Sequence, residues 1–536
     1  MARAQLVVAT FVIASARPML TLTRKVTFLR RPLAMGMSHV LRVTRDYRRG
    51  TEVAGGVARH RADLTSGELV ALARFLIDAG AWTDVADLAV ELVRRGRPLA
   101  EGAALDMTAV LLGLGEQDAA AGVLDLGAVP TSMHDPETVR LLVRRIELTR
   151  LTEQDVAAEQ GAALRLHPEP GRLERLTTEQ DPEPAGRFVV EPHHLGLRIS
   201  GWVADGGGPC VVEIVEDYRT IAQVRTDART GVAASRFRLI IRWQGLAALP
   251  TVTRIGVLAD GRPLVQPAGG HDWTVEQVRR PESDGLGVEQ LTKKGTVSGR
   301  LGGAEGDAAV WAAVRGCVAA LDRAGKSAFV LYGTLLGAVR DGGTVTGDDD
   351  VDVAFLAEST NAESLRQELL DLCQSLLIQG LTVALKEAHG WAAMEVRFGP
   401  VTIDVTAIFT RGGSAWAYRR VTADRSAYMP RSELTVQGVS VPVPADPDAV
   451  LTSIYGEGWR TPDPGFQHYA TRAEVRQLRQ RAFTGDQVLS LFAAAEATSG
   501  ELIAPRHAQE VLRTLRGLSA ANRLPRPSTP VIPNLG

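Results

Sequence analysis

Residues 331–356 read LYGTLLGAVRDGGTVTGDDDVDVAFL. A strand-like lead runs into a glycine-bearing turn, then a short helix, then an acidic strand. In 348–352 four of five residues are carboxylates, Asp348, Asp349, Asp350 and Asp352. On an extended strand, Asp348, Asp350 and Asp352 fall on one face and the interleaved Val351 and Val353 on the other. Asp349 faces away on the same parity. Three anionic side chains side by side repel one another unless a cation sits among them. The arrangement points to a divalent site, and its hard oxygen ligands suit Mg2+ or Mn2+.

The flanking residues extend this reading in both directions. GDAAVWAAVRGCVAALDRA (306–324) has the period of an amphipathic helix and leads into the strand SAFVLY (327–332). Gly333 lets the backbone approach a ligand closely. First-turn N–H groups of the helix that follows favour a phosphate, and Thr334 and Gly337 lie in that turn. Arg340, on the same helix, offers a fork for a phosphate. Downstream, VTIDVTAIF (401–409) is a strand with a single acid, Asp404. A buried lone carboxylate is costly, so Asp404 is expected to join the same cluster; a surface position is the alternative.

Other motifs fail on specifics. An EF-hand loop begun at Asp348 would place Val353 where glycine is needed and Ser359 where glutamate is needed. AGKS (324–327) lacks the glycine that opens a phosphate loop, because Ala320 stands there. The chain has no GxSxG elbow and no HExxH helix.

The 536 residues exceed what one core usually supports, so several domains are expected. A hydrophobic share of 45% with 23% charged residues is ordinary for globular protein, and a net charge of −2 gives no drive toward nucleic acid. The three cysteines, Cys210, Cys317 and Cys373, lack metal-ligand spacing and fit a reducing compartment.

The fold class expected is multidomain. A basic, apolar N-terminal segment (1–63) is followed by an α-helical, repeat-like domain (64–166) with glycines at 80, 96, 113 and 115 where helices should end. A small antiparallel β-sandwich (187–268) comes next, read from period-two alternation, with proline- and glycine-rich linkers at 167–186 and 269–287. An α/β catalytic domain with a mixed sheet (300–480) and a C-terminal helix with a proline-rich tail (481–536) complete the chain. Trp202 and Trp243 are candidate sugar platforms, although core packing is the commoner use of a strand tryptophan.

Residues 1–50 hold ten cations against one acid, Asp46. Their apolar runs are shorter than the roughly 20 residues that span a bilayer. The pattern suggests peripheral contact with an anionic membrane; a solvated basic helix is the alternative, and Ala14-Ser15-Ala16 after LVVATFVI also mimics a signal-peptide cleavage site. The expected location is cytoplasmic, at the inner face of the membrane.

GTLLGAVR followed by DDDVD resembles the LicD family of nucleotidyltransferase-fold phosphotransferases, to which fukutin and the fukutin-related protein also belong. VTIDVTAIF and VPVPADPDAVLTSIYGEGWRTPDP (441–464) continue the likeness, which covers roughly residues 300–470. Where the family usually has Ile-Pro-Trp before the acidic run, Val345-Thr346-Gly347 stands here. That departure touches substrate packing and leaves the acidic positions intact. The resemblance implies transfer of a phospho-substituent, phosphocholine- or phospho-polyol-like, from a nucleotide-diphosphate donor, CDP-linked donors included, to a glycan hydroxyl at the cell surface.

Within that scheme Asp348, Asp350, Asp352 and Asp404 are the expected metal ligands, with two ions bridging Asp350 and Asp352. Asp350, Asp352 and Asp404 are the catalytic set, and Asp404 or an acid nearby takes the acceptor's proton. Gly333, Thr334, Gly337, Arg340 and Tyr455 are the expected substrate contacts. The competing readings are a nucleotidyltransferase that adds a nucleotide to a small molecule or protein, and a non-catalytic scaffold built on the helical domain.

Overall fold

A computed structural model describes residues 46–47, 58, 61–129, 132–152, 163–170, 185–193, 196–204, 210–216, 219–227, 232–242, 245–246, 255–266, 271–279, 291, 304–345, 350–386, 393–399, 401–411, 414–417, 420–421, 423–463, 466, 471–503 and 507–523. Most of the basic segment 1–63, the tail from 524, Trp243, Asp348 and Asp349 lie outside the described residues. No described helix is long and apolar enough to cross a membrane. The chain divides into two compact units: 1–128, 147–298 and 463–469 in the first, 129–146, 299–462 and 470–536 in the second.

Among its described residues the first unit holds the helices Ser66–Ala79, Trp82–Arg95, Glu101–Gly113 and Gln117–Asp125. Thr65 and Glu68 form a reciprocal capping box at the first of these. The first two helices end at Gly80 and Gly96, whose φ of 71° and 59° are left-handed values that glycine adopts without strain. Two antiparallel sheets follow. Gly186–His193, Gly196–Val203 and Ser235–Arg242 form one; Arg262–Pro263, Ile255–Ala259, Val211–Glu216 and Arg219–Arg225 form the other. Their alternating apolar residues, among them Val190, Ile199, Ile214, Val224 and Leu239, share one core.

Trp202 is 5% exposed, and its indole N–H donates to the Ala79 carbonyl at 3.0 Å. It is therefore a packing residue that joins a helix to a sheet, not an open platform for a sugar ring. Arg236, bonded to Asp78 at 2.8 Å, makes a second such tie. The segments read as linkers also carry structure: Ala163–Pro170 pairs with His271–Arg279 in an antiparallel ribbon. Prolines 168 and 170 fit there because each strand of a two-stranded ribbon has one unpaired side.

In the second unit the elements are α1 (Ala304–Arg323), β1 (Ala328–Val330), α2 (Tyr332–Leu336), β2 (Val351–Leu356), α3 (Ala362–Ile378), β3 (Thr382–Leu385), β4 (Met394–Phe398), β5 (Val401–Arg411), β6 (Ser414–Trp416), β7 (Arg420–Val421), α4 (Arg425–Tyr428), β8 (Ser432–Val436), β9 (Val439–Val443), α5 (Pro447–Tyr455), α6 (Arg472–Arg481), α7 (Gly485–Glu496), β10 (Glu501–Ile503) and α8 (Ala508–Arg523). The architecture is mixed α/β. The main sheet has the order β1-β2-β5-β4-β3-β10, with β6 and β7 added beyond β5. β2 and β5 run parallel, as do β3 and β10; the other pairs along that order are antiparallel.

Register assigns the two faces of this sheet. Val351, Val353 and Phe355 on β2 align with Ile403, Val405 and Ala407 on β5. Val405 and Ile403 in turn oppose Met394 and Val396 on β4, and these oppose Leu385 and Val383 on β3. All are buried. Fully burying such a side chain is worth about 1.5–3 kcal/mol, which makes this apolar layer the main driving force for the unit. α1 carries its own apolar stripe, Val310, Trp311, Val314, Cys317, Val318 and Leu321, in the same core. It reaches the sheet where Gly316 meets Phe398; a methyl at 316 would come within 3.1 Å of that ring. Burial pushes the thiols of Cys317 and Cys373 up to about 12, which leaves them as core fillers. Val139, Leu142, Val143 and Ile146, upstream in sequence, complete the core of this unit.

α2 continues as a wider, π-type turn, Gly337–Asp341. The chain then folds back so that Gly343 N–H donates to the Gly337 carbonyl at 3.2 Å. A Cβ on Gly337 would meet the Gly343 carbonyl oxygen at 2.5 Å and the Val345 nitrogen at 2.9 Å, both backbone atoms. Gly337→Ala should therefore cost about 1–3 kcal/mol by forcing backbone apart. Gly316→Ala should cost less, since the Phe398 ring can shift, and chemical denaturation midpoints of the two variants measure the contrast.

Candidate metal centre

The face of the sheet opposite α1 collects the charged groups. Asp352 on β2 aligns with Asp404 on β5, and Asp404 opposes Glu395 on β4. Asp350 immediately precedes β2, two residues before Asp352. Lys386 follows β3 directly, two residues beyond Ala384, which pairs with Glu395. Four neighbouring strands and the residues that directly flank them thus bring four carboxylates and one ammonium together.

Asp350, Asp352 and Asp404 can each present an oxygen such that all three lie within 4.8 Å of one another. Asp352 is 5% exposed and Asp404 7%. Three carboxylates this close, two of them buried, form a donor set that fits a hard divalent cation such as Mg2+ or Mn2+. Burial is the largest cause raising the Asp404 pKa, to about 6; the Lys386 ammonium opposes the shift, and the charges of Glu395 and Asp350 add to it.

The turn before the acidic strand is bonded to it. Leu331 N–H donates to the Asp352 carbonyl at 3.1 Å, and Asp352 N–H donates to Thr334 Oγ1 at 2.8 Å. Tyr332, between them, takes a φ of 47°, a left-handed conformation that costs a non-glycine residue about 1–2 kcal/mol. These two hydrogen bonds to Asp352 depend on this tight reversal. Thr334 therefore sets the height of the acidic strand, and Gly333 stands at the same turn.

The other residues singled out by sequence are placed as follows. Gly337 is buried, with its open side filled by the backbone of 343–345. Arg340 forks onto Asp341, Nε and Nη2 each 2.8 Å from a carboxylate oxygen, and the Tyr455 hydroxyl lies near enough to act on its charge. Tyr455 ends α5 and is half-buried. Lys326 of AGKS pairs with Glu368 at 2.7 Å, which gives that lysine a structural partner.

Sequence reading passed over Glu395 and Lys386. Glu395 had the signal that marked Asp404, a single acid within a short apolar strand, MEVRF (394–398). Lys386 carried no such mark, because its place follows only from the register of β3 against β4.

Two measurements check this geometry. Thr334→Val should leave the buried Asp352 N–H without its acceptor, at about 1–3 kcal/mol, while Thr334→Ser should stay near wild type in thermal denaturation. In chelator, the folded protein holds a proton on Asp404 up to about pH 6, whereas the ordinary value is 3.8. The folded state thus binds more protons inside that window, and the stability this confers is lost as pH rises through it. Relative to Asp404→Asn, wild type should lose melting temperature between pH 4 and 7, about 2–4 °C for each kcal/mol involved.

Residues 325–446 match the family model described as LicD/FKTN/FKRP, nucleotidyltransferase domain. The matched stretch contains the Gly333-Thr334 turn, the three clustered aspartates, Lys386 and Glu395, and it ends before Tyr455. No curated protein matches the chain.

Proposed function

We propose, with residues 325–446 as a domain of the LicD/FKTN/FKRP family, that the protein is a metal-dependent transferase of the cell envelope. It would move a phospho-substituent, phosphocholine- or phospho-polyol-like, from a nucleotide-diphosphate donor to a hydroxyl of a cell-surface glycan. One observation carries the reading: Asp352 and Asp404, both buried, lie side by side on parallel strands, with Asp350 in reach of the same point.

Phosphoryl transfer asks a protein for positioning and for neutralisation of charge more than for covalent chemistry. Asp350, Asp352 and Asp404 would hold Mg2+ or Mn2+, with Asp348 as a further ligand. A bound divalent ion would polarise the diphosphate and stabilise the negative charge that develops in the transition state. The backbone at Gly333 and Thr334 would hold donor phosphate at the turn tied to β2, with Gly337 keeping that turn compact. Arg340 and Tyr455 would line the donor side. Asp404, or an acid nearby, would accept the proton of the attacking hydroxyl. In the reaction one phosphorus–oxygen bond to the nucleotide breaks, one to the acceptor oxygen forms, and a nucleoside monophosphate leaves.

Residues 1–50 would supply a basic, apolar contact with the anionic inner face of the membrane, from the cytoplasmic side. The helices and sheets of the first unit are candidates for acceptor recruitment. The family description itself, a nucleotidyltransferase domain, favours one alternative: transfer of the nucleotide to the acceptor, with release of the other half of the donor.

Incubation with CDP-linked and other nucleotide-diphosphate donors distinguishes the two reactions by the product released. Asp350→Ala and Asp352→Ala should each lower Mg2+- or Mn2+-dependent turnover by about 10²-fold or more, with unchanged circular dichroism. Undiminished turnover in both variants would overturn the metal-site reading.

A further inference from the structure

We infer that Lys386 is a resident cation of the acidic site, occupying the place of a second divalent ion, so that the site takes one divalent ion and not two. This rests on the metal-dependent reading above and sharpens it. Lys386 is a positioning residue: it acts through Asp404 and Glu395.

The geometry of the ammonium carries the argument. Lys386 Nζ lies 2.7 Å and 2.5 Å from the two oxygens of Asp404 and 3.1 Å from Glu395 Oε1. An ammonium has three N–H donors, and three carboxylate oxygens surround this one. The position is built by the sheet. Lys386 N–H donates to the Ala393 carbonyl at 2.9 Å, which prolongs the β3–β4 ladder by one step. Glu395 and Asp404 are cross-strand partners, so register alone presents two anions to the lysine. The lysine side chain is only 23% exposed, so solvent screens these contacts weakly.

The consequence for metal binding follows from charge and distance. Paired ions in phosphoryl-transfer sites sit about 3.5–4 Å apart and share carboxylate ligands. Asp404, with Lys386 against both its oxygens, can complete the shell of one ion through its remaining lone pairs. A second ion at that spacing on the Asp404 side would meet the ammonium, a like charge at short range. Lys386 instead supplies a permanent positive charge beside the site, with no need to strip water from a second cation. Glu395 belongs to the lysine, outside the three-carboxylate cluster.

Mn2+ binding to the full-length chain, followed by electron paramagnetic resonance with no donor present, tests the inference. Wild type should bind one ion per chain. K386M should bind two, and K386R, which keeps the charge, should return to one. Two ions in wild type, or one ion in both wild type and K386M, would overturn the role given to Lys386 and leave the metal site standing. No binding to wild type, or binding that D352N leaves unchanged, would overturn the metal reading itself. Circular dichroism reports whether each variant folds; if K386M does not, K386Q makes the same comparison with a polar side chain of similar length.

Discussion

Two carboxylates buried side by side on adjacent parallel strands are the constraint around which the second unit is arranged. Asp352 and Asp404 each lie within one-tenth of full burial, and sheet register holds them opposite one another. Neither can escape the other by rotating into solvent. Such a pair is tolerable only beside compensating positive charge or with one member protonated, and the surrounding residues meet that demand. Lys386 approaches from β3 with Glu395 as its second anchor, and the remaining oxygens converge where a divalent cation would neutralise them.

The stability that tolerates this charge comes from the other face of the same strands. Val351 and Val353, Ile403 and Val405, Met394 and Val396 alternate with the acids and pack against α1. One face of each strand thus supplies burial energy while the other spends part of it on electrostatic strain. The Tyr332 reversal belongs to the same balance. Its strained backbone persists because the hydrogen bonds from Leu331 and to Thr334 tie both ends of the turn to Asp352 on β2.

Much of the acidic strand was legible in the sequence, because strand parity is a local property. The alternation of Asp350, Val351, Asp352 and Val353 separates acids from valines without knowledge of any partner strand, and the lone acid in VTIDVTAIF stands out for the same reason. Lys386 was not legible, since nothing in TVALK distinguishes a lysine at a strand end from one on a solvated surface. Only the pairing of β3 with β4, and of β4 with β5, brings it to Asp404. Trp202 was ambiguous for a related reason: its partner, the Ala79 carbonyl, lies 123 residues away in sequence. The ribbon formed by Ala163–Pro170 and His271–Arg279 was hidden by its composition, because prolines and charges that mark a linker are also admissible on a strand with an open edge.

The pairing of Asp352 with Asp404 also bears on how the sheet finds its alignment during folding. A slip of β5 by a single residue would turn Asp404 into the oily layer beneath α1 and bring Val405 out in its place. A valine in the wrong layer is a small error, whereas a bare carboxylate among phenylalanine and valine side chains is a prohibitive one. The acid that strains the finished sheet is thus also its alignment mark. It excludes the misregistered neighbours that an all-apolar strand would tolerate, so a correctly paired sheet and an assembled acidic site form in the same event.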